Sequence, residues 1–491
     1  MVDSIQGGKR RELIVESLLV LAALALAAAA ARPYADSWND GSRLATVESL
    51  VDRHTWIIDR SIFVAVPQPE KDGPPLPYNP NDRTLLEHGT LDKLYINGHF
   101  YSDKSPVPAL YMAGLYQVWE WVTGWTVRDH ADRFCWFITF ASSGFAYVLS
   151  VWCIALLGRR LGLPLSSRLI LCVSFGLATV ALPYARQTNN HILLLAVAAA
   201  LTLQVAQLAE ARRDGKATWR RFALMGSLCG IGYTIDLGAG PVLIAATAAY
   251  ILFDRSEGAI DLAGRRFAIR STHPTLFFAL AAVPWLALHH ALNYLIGGSL
   301  KPANANPEYF NYPGSVFAAN NLTGTWVHPH VGSFLLYAAS MLFGKKGFIG
   351  HNLPLFLMLP ALIALWRQRR ETRRELTWAA ACWGGTWLIY AAMSNNSSGQ
   401  CCSIRWFVPL LAPGYLVLAL LLRSASWLRI DLSILSAWGA LLAVMMRNGP
   451  WMGGMVPLFW PIQALALLSW GAFHYLRSAR RKRGHTLEIS T

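Results

Sequence analysis

Long apolar stretches alternate with short polar ones along almost the whole chain, from Leu13 to Tyr475. About twelve of them approach the roughly 20 apolar residues that a helix needs to cross hydrocarbon, where backbone polar groups find no water. They lie near 13–31, 133–157, 168–184, 189–209, 221–235, 238–253, 274–296, 350–366, 376–393, 405–422, 432–446 and 455–476. The fifth and sixth are short, and meet at Asp236–Gly240. Residues 331–343 are apolar but too short to span, and are expected at the membrane interface. The pattern predicts an all-α polytopic membrane protein, a single transmembrane domain over 1–491 with about twelve transmembrane helices.

The one long early interruption, 32–132, is dense in Asp, Arg, Lys, Trp and Tyr. Within it, Leu44, Val47, Leu50 and Val51 recur at helical spacing in Ser37–Arg60, which predicts an amphipathic helix on the membrane surface. Pro67–Pro80 is proline-rich and reads as an irregular connector. Leu85–Asp103 then leads into Pro106–Val122, an apolar, aromatic segment expected to lie on or dip into the interface. A second large loop covers 298–349. No internal repeat is visible.

Composition agrees with this reading: 54% of residues are hydrophobic and only 14% charged. The net charge of +15 would suit a nucleic-acid partner, but its distribution points elsewhere. Most Lys and Arg fall on alternate loops: Lys9-Arg10-Arg11, Arg159-Arg160, Arg212-Arg213, Arg265-Arg266, Arg367 to Arg374 and Arg477 to Arg483. This is the positive-inside bias. It predicts cytoplasmic termini in a multi-pass protein of the cell (inner) membrane, with 32–132 and 298–349 outside, and it implies contact with anionic membrane lipids rather than nucleic acid. The seven Cys are scattered, five of them in or beside spans. They read as small hydrophobes, and the adjacent Cys401-Cys402 as free thiols.

Chemistry is expected at the outer surface. Asp40, in Ser37-Trp38-Asn39-Asp40-Gly41-Ser42-Arg43, lies just past the first span. A carboxylate there, beside Arg43, can serve as a general base or as a helix N-cap; Asp36 is the weaker alternative. Lys104, in Gly98-His99-Phe100-Tyr101-Ser102-Asp103-Lys104-Ser105-Pro106, suits a lipid phosphate with Tyr101 at the same depth, or simply snorkels. Arg186, Arg405 and Arg447 break the charge rule by sitting at outer helix ends. Arg405, between Ile404 and Trp406-Phe407, is the functional candidate, and the other two read as headgroup contacts. Asp236 can orient an acceptor hydroxyl or form a turn. His328 and His330 lack a third ligand, so no metal site is expected. The Asn321–Thr323 and Asn395–Ser398 stretches match glycosylation sequons, relevant only in a glycosylating lumen.

The order of these parts resembles the GT-C glycosyltransferases: a span, a long outer loop with an early Asp, an amphipathic helix, then Gly98-x-Phe100-Tyr101-x-x-Lys104-x-Pro106. It is similar to the protein O-mannosyltransferases and the aminoarabinose transferases of lipid A, which use polyprenyl-phosphate sugars. Phe343-Gly344-Lys345-Lys346-Gly347-Phe348 before Pro354, and Ile404 to Pro409, are similar to bacterial members. The resemblance implies that Asp40 is the base and that Lys104 contacts the donor phosphate. Two departures stand out. Lys-Ser-Pro replaces Lys-Pro-Pro, and the first loop has no Asp-x-Asp motif, which argues against the metal-dependent branch.

The implied activity is a metal-independent, inverting transfer of a hexose or pentose from polyprenyl phosphate to a hydroxyl on a glycan, lipid or protein. Lys104, Arg405, Tyr101, Arg43 and Asp236 would bind substrate. A ligase or polymerase of lipid-linked glycans is the nearer alternative, with its key residues in 298–349. A transporter or flippase is the further one, because it would place ionisable groups at mid-span.

Overall fold

The computed structural model describes residues 2–214, 218–253, 258–262, 265–269, 272–317 and 323–488. Asn321 and Leu322 of the first sequon lie outside them. Helix α1 (Val2–Ala30) is followed by α2 (Trp38–Asp52), the short α3 (Arg83–His88), a hairpin of β1 (Lys93–Ile96) and β2 (His99–Ser102), and α4 (Pro106–Thr123). Then α5 (Ala131–Thr139) passes through a π-helical turn, Phe140–Gly144, into α6 (Phe145–Arg160). The bundle continues with α7 (Leu165–Leu177), α8 (Ala181–Ala185), α9 (Asn190–Arg213), α10 (Trp219–Ile235) and α11 (Ala239–Leu252). A second hairpin, β3 (Gly258–Leu262) and β4 (Arg265–Ile269), precedes α12 (Thr272–Gly297) and α13 (Val331–Phe343). The chain ends with α14 (Phe348–His351), α15 (Met358–Gln368), α16 (Arg373–Ala392), α17 (Leu411–Ser424), α18 (Arg429–Met445) and α19 (Phe459–Glu488).

Every apolar stretch read from the sequence holds helix, and α10 and α11 meet at the expected Asp236 turn. The count of about twelve spans is not reproduced. Among the described residues, six helices are long and apolar enough to cross a membrane, or seven if one bent pair counts as a single span. Several stretches fold into shorter pieces, α7 with 13 residues and α11 with 14. The segment 350–366 is not a straight helix: Val331–His351 and Leu353–Gln368 meet at 113°. Two hairpins also qualify the all-α expectation.

The first hairpin has a local cause in Asn97-Gly98, where both residues take positive φ (51° and 87°). An Asn-Gly pair suits the two-residue turn whose twist matches that of the strands. It pairs Lys93 with Ser102 and brings Asp92 alongside Asp103 and Lys104.

The segment 32–132 packs with α5 around a shared core, formed by Leu44, Val47, Phe63, Tyr78, Tyr116 and, from α5, Phe134 among others. Helix α2 is not the surface helix that its periodicity suggested. From Asn39 to Ser49 every residue is buried, polar ones included. Neighbouring protein covers both faces, α4 on one side and β2 on another. A buried Glu48 staples this packing: it accepts from Ser61 Oγ (2.5 Å) and the Ile62 amide (3.1 Å), and pairs with Arg53 at 2.8 Å. Helix α4 is two-sided. Met112 and Tyr116 face the core, whereas Trp121 and Val122 are 76% and 79% exposed.

Candidate active site

Helix α2 begins under Ser37, whose hydroxyl accepts from the Asp40 amide at 3.1 Å. Ser37, not Asp40, is therefore the N-cap, and the Asp40 carboxylate is left for other work. One of its oxygens accepts from the Asp36 amide at 3.1 Å. Trp451 Nε1 lies 3.1 Å from both. Asp40 is buried, and burial is the main reason its pKa rises to about 7; the Asp36 amide, the Arg43 charge and Trp451 pull the other way. A carboxylate with a pKa near neutrality is matched to taking a proton at physiological pH.

Arg43, one turn further on, donates to the Asn39 carbonyl (2.8 Å), to Asn39 Oδ1 and to Asn190 Oδ1 at 2.7 Å. Asn190 begins α9, so this guanidinium ties the first loop to the bundle. Burial lowers its pKa to about 10, and it stays charged at neutral pH.

Lys104 sits between two carboxylates, the buried Asp92 and the part-buried Asp103. Its Nζ lies 2.6 Å from Asp92 Oδ2 and 2.7 Å from Asp103 Oδ2. Burial opposes ionisation of both acids. The Lys104 ammonium brings Asp92 below the usual carboxylate range, while Asp103 stays above it beside the Asp92 charge. Asn39 Nδ2 donates to Asp92 (3.4 Å) and Ser42 Oγ to Asp103 (3.3 Å), so both acids are fastened to α2.

Arg405 faces the same group of charges. Its field acts on Asp92 and Arg43, and its guanidinium lies over the Trp451 ring at 5.5 Å. Among the described residues it has no carboxylate partner, and its buried Nε has no hydrogen-bond partner. Arg405 is thus, like Arg43, a cation of the site without a carboxylate ion pair among the described residues, whereas Lys104 is neutralised by Asp92 and Asp103.

The side chains of the other residues singled out from sequence have different partners. Tyr101 packs with Leu94, Ile96 and Phe310 in a small separate cluster. Asp236 closes the turn between α10 and α11: it accepts from the Gly238 (2.9 Å) and Ala239 (2.8 Å) amides and from Tyr390 Oη at 2.5 Å. Asp36 accepts from Asn79 (2.7 Å) and Gln187 (3.2 Å) as a structural clasp. Arg186 donates to the Arg447 carbonyl, as does Arg32, so the outer arginines brace a loop. His328 engages the Ala391 carbonyl and His330 caps α13. Among the described residues no three His, Cys, Asp or Glu side chains are grouped to hold a metal. Asp92, Asp103, Asn190 and Trp451 were not singled out from the sequence. Asp103 stood inside the quoted motif, but Trp451 is 411 residues from Asp40 and no local pattern announces it.

No protein-family model and no curated protein matches the chain. Among solved structures it is similar to the apo oligosaccharyltransferase of Archaeoglobus fulgidus, with TM-score 0.47 and 13% identity over 90% of this chain and 56% of that one. It is similar to ArnT from Cupriavidus metallidurans bound to undecaprenyl phosphate, with TM-score 0.47 and 11% identity over 94% and 76%. A third is AglB of Archaeoglobus fulgidus in complex with an inhibitory peptide and dolichol-phosphate, with TM-score 0.46 and 14% identity over 89% and 56%. These likenesses are too distant to assign a substrate or a chemistry.

Proposed function

We propose that this protein is a membrane glycosyltransferase that moves a sugar from a polyprenyl-phosphate donor to an acceptor hydroxyl, with inversion and without a metal. The observation that carries the proposal is Asp40: a buried carboxylate with a pKa near 7, one turn from Arg43 and sharing Trp451 with Arg405. That is one base beside a cluster of cations, the pairing that such a displacement uses. Asp40 takes the proton of the acceptor hydroxyl while that oxygen attacks the anomeric carbon. The bond from anomeric carbon to phosphate oxygen breaks, and polyprenyl phosphate leaves with the electron pair. Arg405 meets the charge that grows on the departing phosphate, which favours the transition state over the ground state. Lys104 holds Asp92 and Asp103 in register and adds its charge at longer range. Trp451 presents an N–H to Asp40 where the acceptor O–H must donate, so it moves aside when the acceptor binds.

Ionisable groups converge at helix ends and in the first loop, as an enzyme of this kind requires, and a transporter would place them at mid-span. Protein-containing membranes given a panel of radiolabelled polyprenyl-phosphate sugars should release polyprenyl phosphate and label an acceptor. Asp40→Asn should reduce this by at least about a hundredfold at equal protein level, since a positioned general base typically contributes 10²–10⁴. Full turnover by that variant, or none by the wild type with any donor, would overturn the proposal.

A further inference from the structure

Helix α9 carries Asn190 of the active site at one end and Arg212-Arg213 at the other, roughly 35 Å away at 1.5 Å rise per residue. At that far end, α9, α11, α16 and α17 part to leave a cavity of about 230 Å³. Four guanidinium groups line it, those of Arg212, Arg213, Arg374 and Arg423. Two are anchored by the bundle. Arg212 lies over the Tyr250 ring at 5.3 Å, and Arg374 donates to the Phe253 carbonyl at 3.0 Å. The other two, Arg213 and Arg423, are exposed at the mouth and have no ion-pair partner among the described residues. Glu371 and Glu375 also line the cavity, and Glu375 is already engaged as the acceptor of the Tyr250 hydroxyl at 3.1 Å. Four cations thus face two carboxylates around one concave space. Part of its wall is apolar, formed by Leu416 and Leu420.

We propose that this cavity binds the phosphate headgroup of an anionic phospholipid, with the arginines on the phosphate and the first acyl carbons against Leu416 and Leu420. Guanidinium forks match phosphate oxygens geometrically, and basic pockets between helices at a membrane surface are suited to such headgroups. An apolar wall beside the cations distinguishes a lipid from free phosphate, which would leave that wall unused. The site is separate from Asp40 and requires no transferase activity.

The test uses the purified full chain in neutral detergent, with lipid retention read by native mass spectrometry and unfolding temperature read in parallel. Phosphatidylglycerol should be retained and should raise the unfolding temperature; phosphatidylcholine and inorganic phosphate should do neither. Arg213→Gln with Arg423→Gln should weaken phosphatidylglycerol binding by roughly tenfold to thirtyfold, because each cation near an anionic headgroup typically contributes several-fold. Both positions are exposed, so the fold should survive. A charge-matched control, Arg367→Gln with Arg370→Gln outside the cavity, should leave binding within about twofold. Equal loss in the control, no loss in the cavity variant, or inorganic phosphate matching the lipid would each overturn the proposal.

Discussion

Burial sets the acidity of Asp40, and the sign of its effects follows. In the folded protein it keeps its proton until about pH 7, whereas its ordinary value is 3.8. Its contribution to stability is therefore complete below the unfolded value and is lost as pH rises through about 7. Transfer runs the other way, since only the deprotonated form accepts a proton. Turnover should fall about tenfold per pH unit below 7 and level off above it. Asp40→Asn should be inactive yet unfold at a higher temperature than the wild type at alkaline pH, with the gap closing towards acid, as melting across a pH series would show. Lys104 and Arg405 should separate as well. Lys104→Ala leaves the buried Asp92 facing the part-buried Asp103 and should cost on the order of 3 kcal/mol of stability. Arg405→Ala has no ion pair to break; it should leave the melting temperature nearly unchanged while weakening polyprenyl-phosphate binding at least about tenfold. Equal destabilisation by the two would refute this division of labour. The sequence made both cations visible by their place outside the positive-inside pattern. It did not show which one was already neutralised, because Asp92 and Asp103 look like ordinary loop acids until the hairpin folds.

At the scale of elements, α2 shows what periodicity can and cannot tell. Leu44, Val47 and Val51 fix a helix correctly, but the polar residues between them were assigned to water. They are buried because the loop 32–132 carries enough aromatic mass, Phe63, Tyr78 and Tyr116, to build a second core together with Phe134 of α5. Gly41 marks how tight that core is. A Cβ there would run into the Tyr78 hydroxyl, which itself donates to the Phe63 carbonyl at 2.6 Å. Gly41→Ala should displace Tyr78 and the adjoining turn of α2, costing on the order of 1–3 kcal/mol and lowering turnover together with melting temperature. Gly98→Val should act differently. It strains a positive-φ turn with open space around it, so it should loosen the hairpin and Lys104 without disturbing the α2 core. Hydrogen exchange confined to 90–105 would show this. The Asn97-Gly98 signal was present in the sequence and its meaning is local; the covering of α2 is a long-range property and leaves no local trace.

For the whole molecule, the alternation of basic loops predicts a sidedness that burial does not: the candidate site at one end of the bundle and the arginine-lined cavity at the other. If the first loop faces outward, a single cysteine placed at exposed Glu87 should react with a membrane-impermeant maleimide in intact cells, and one placed at Arg367 only after permeabilisation. The reverse pattern would invert the topology. Helical content and the order of segments were legible from hydropathy because apolar surface alone dictates them. The number of full spans was not, because breaks such as the one between His351 and Leu353 depend on packing against neighbours. The contact between Trp451 and Asp40 also governs how the molecule comes into being. Nearly the whole chain must be synthesised and threaded before residue 451 can reach the start of α2, and until then the carboxylate lacks the Trp451 N–H that faces both of its oxygens. A nascent chain on the ribosome therefore carries every cation of the site before its base is fully enclosed, so the protein should acquire full activity only as its last helices insert.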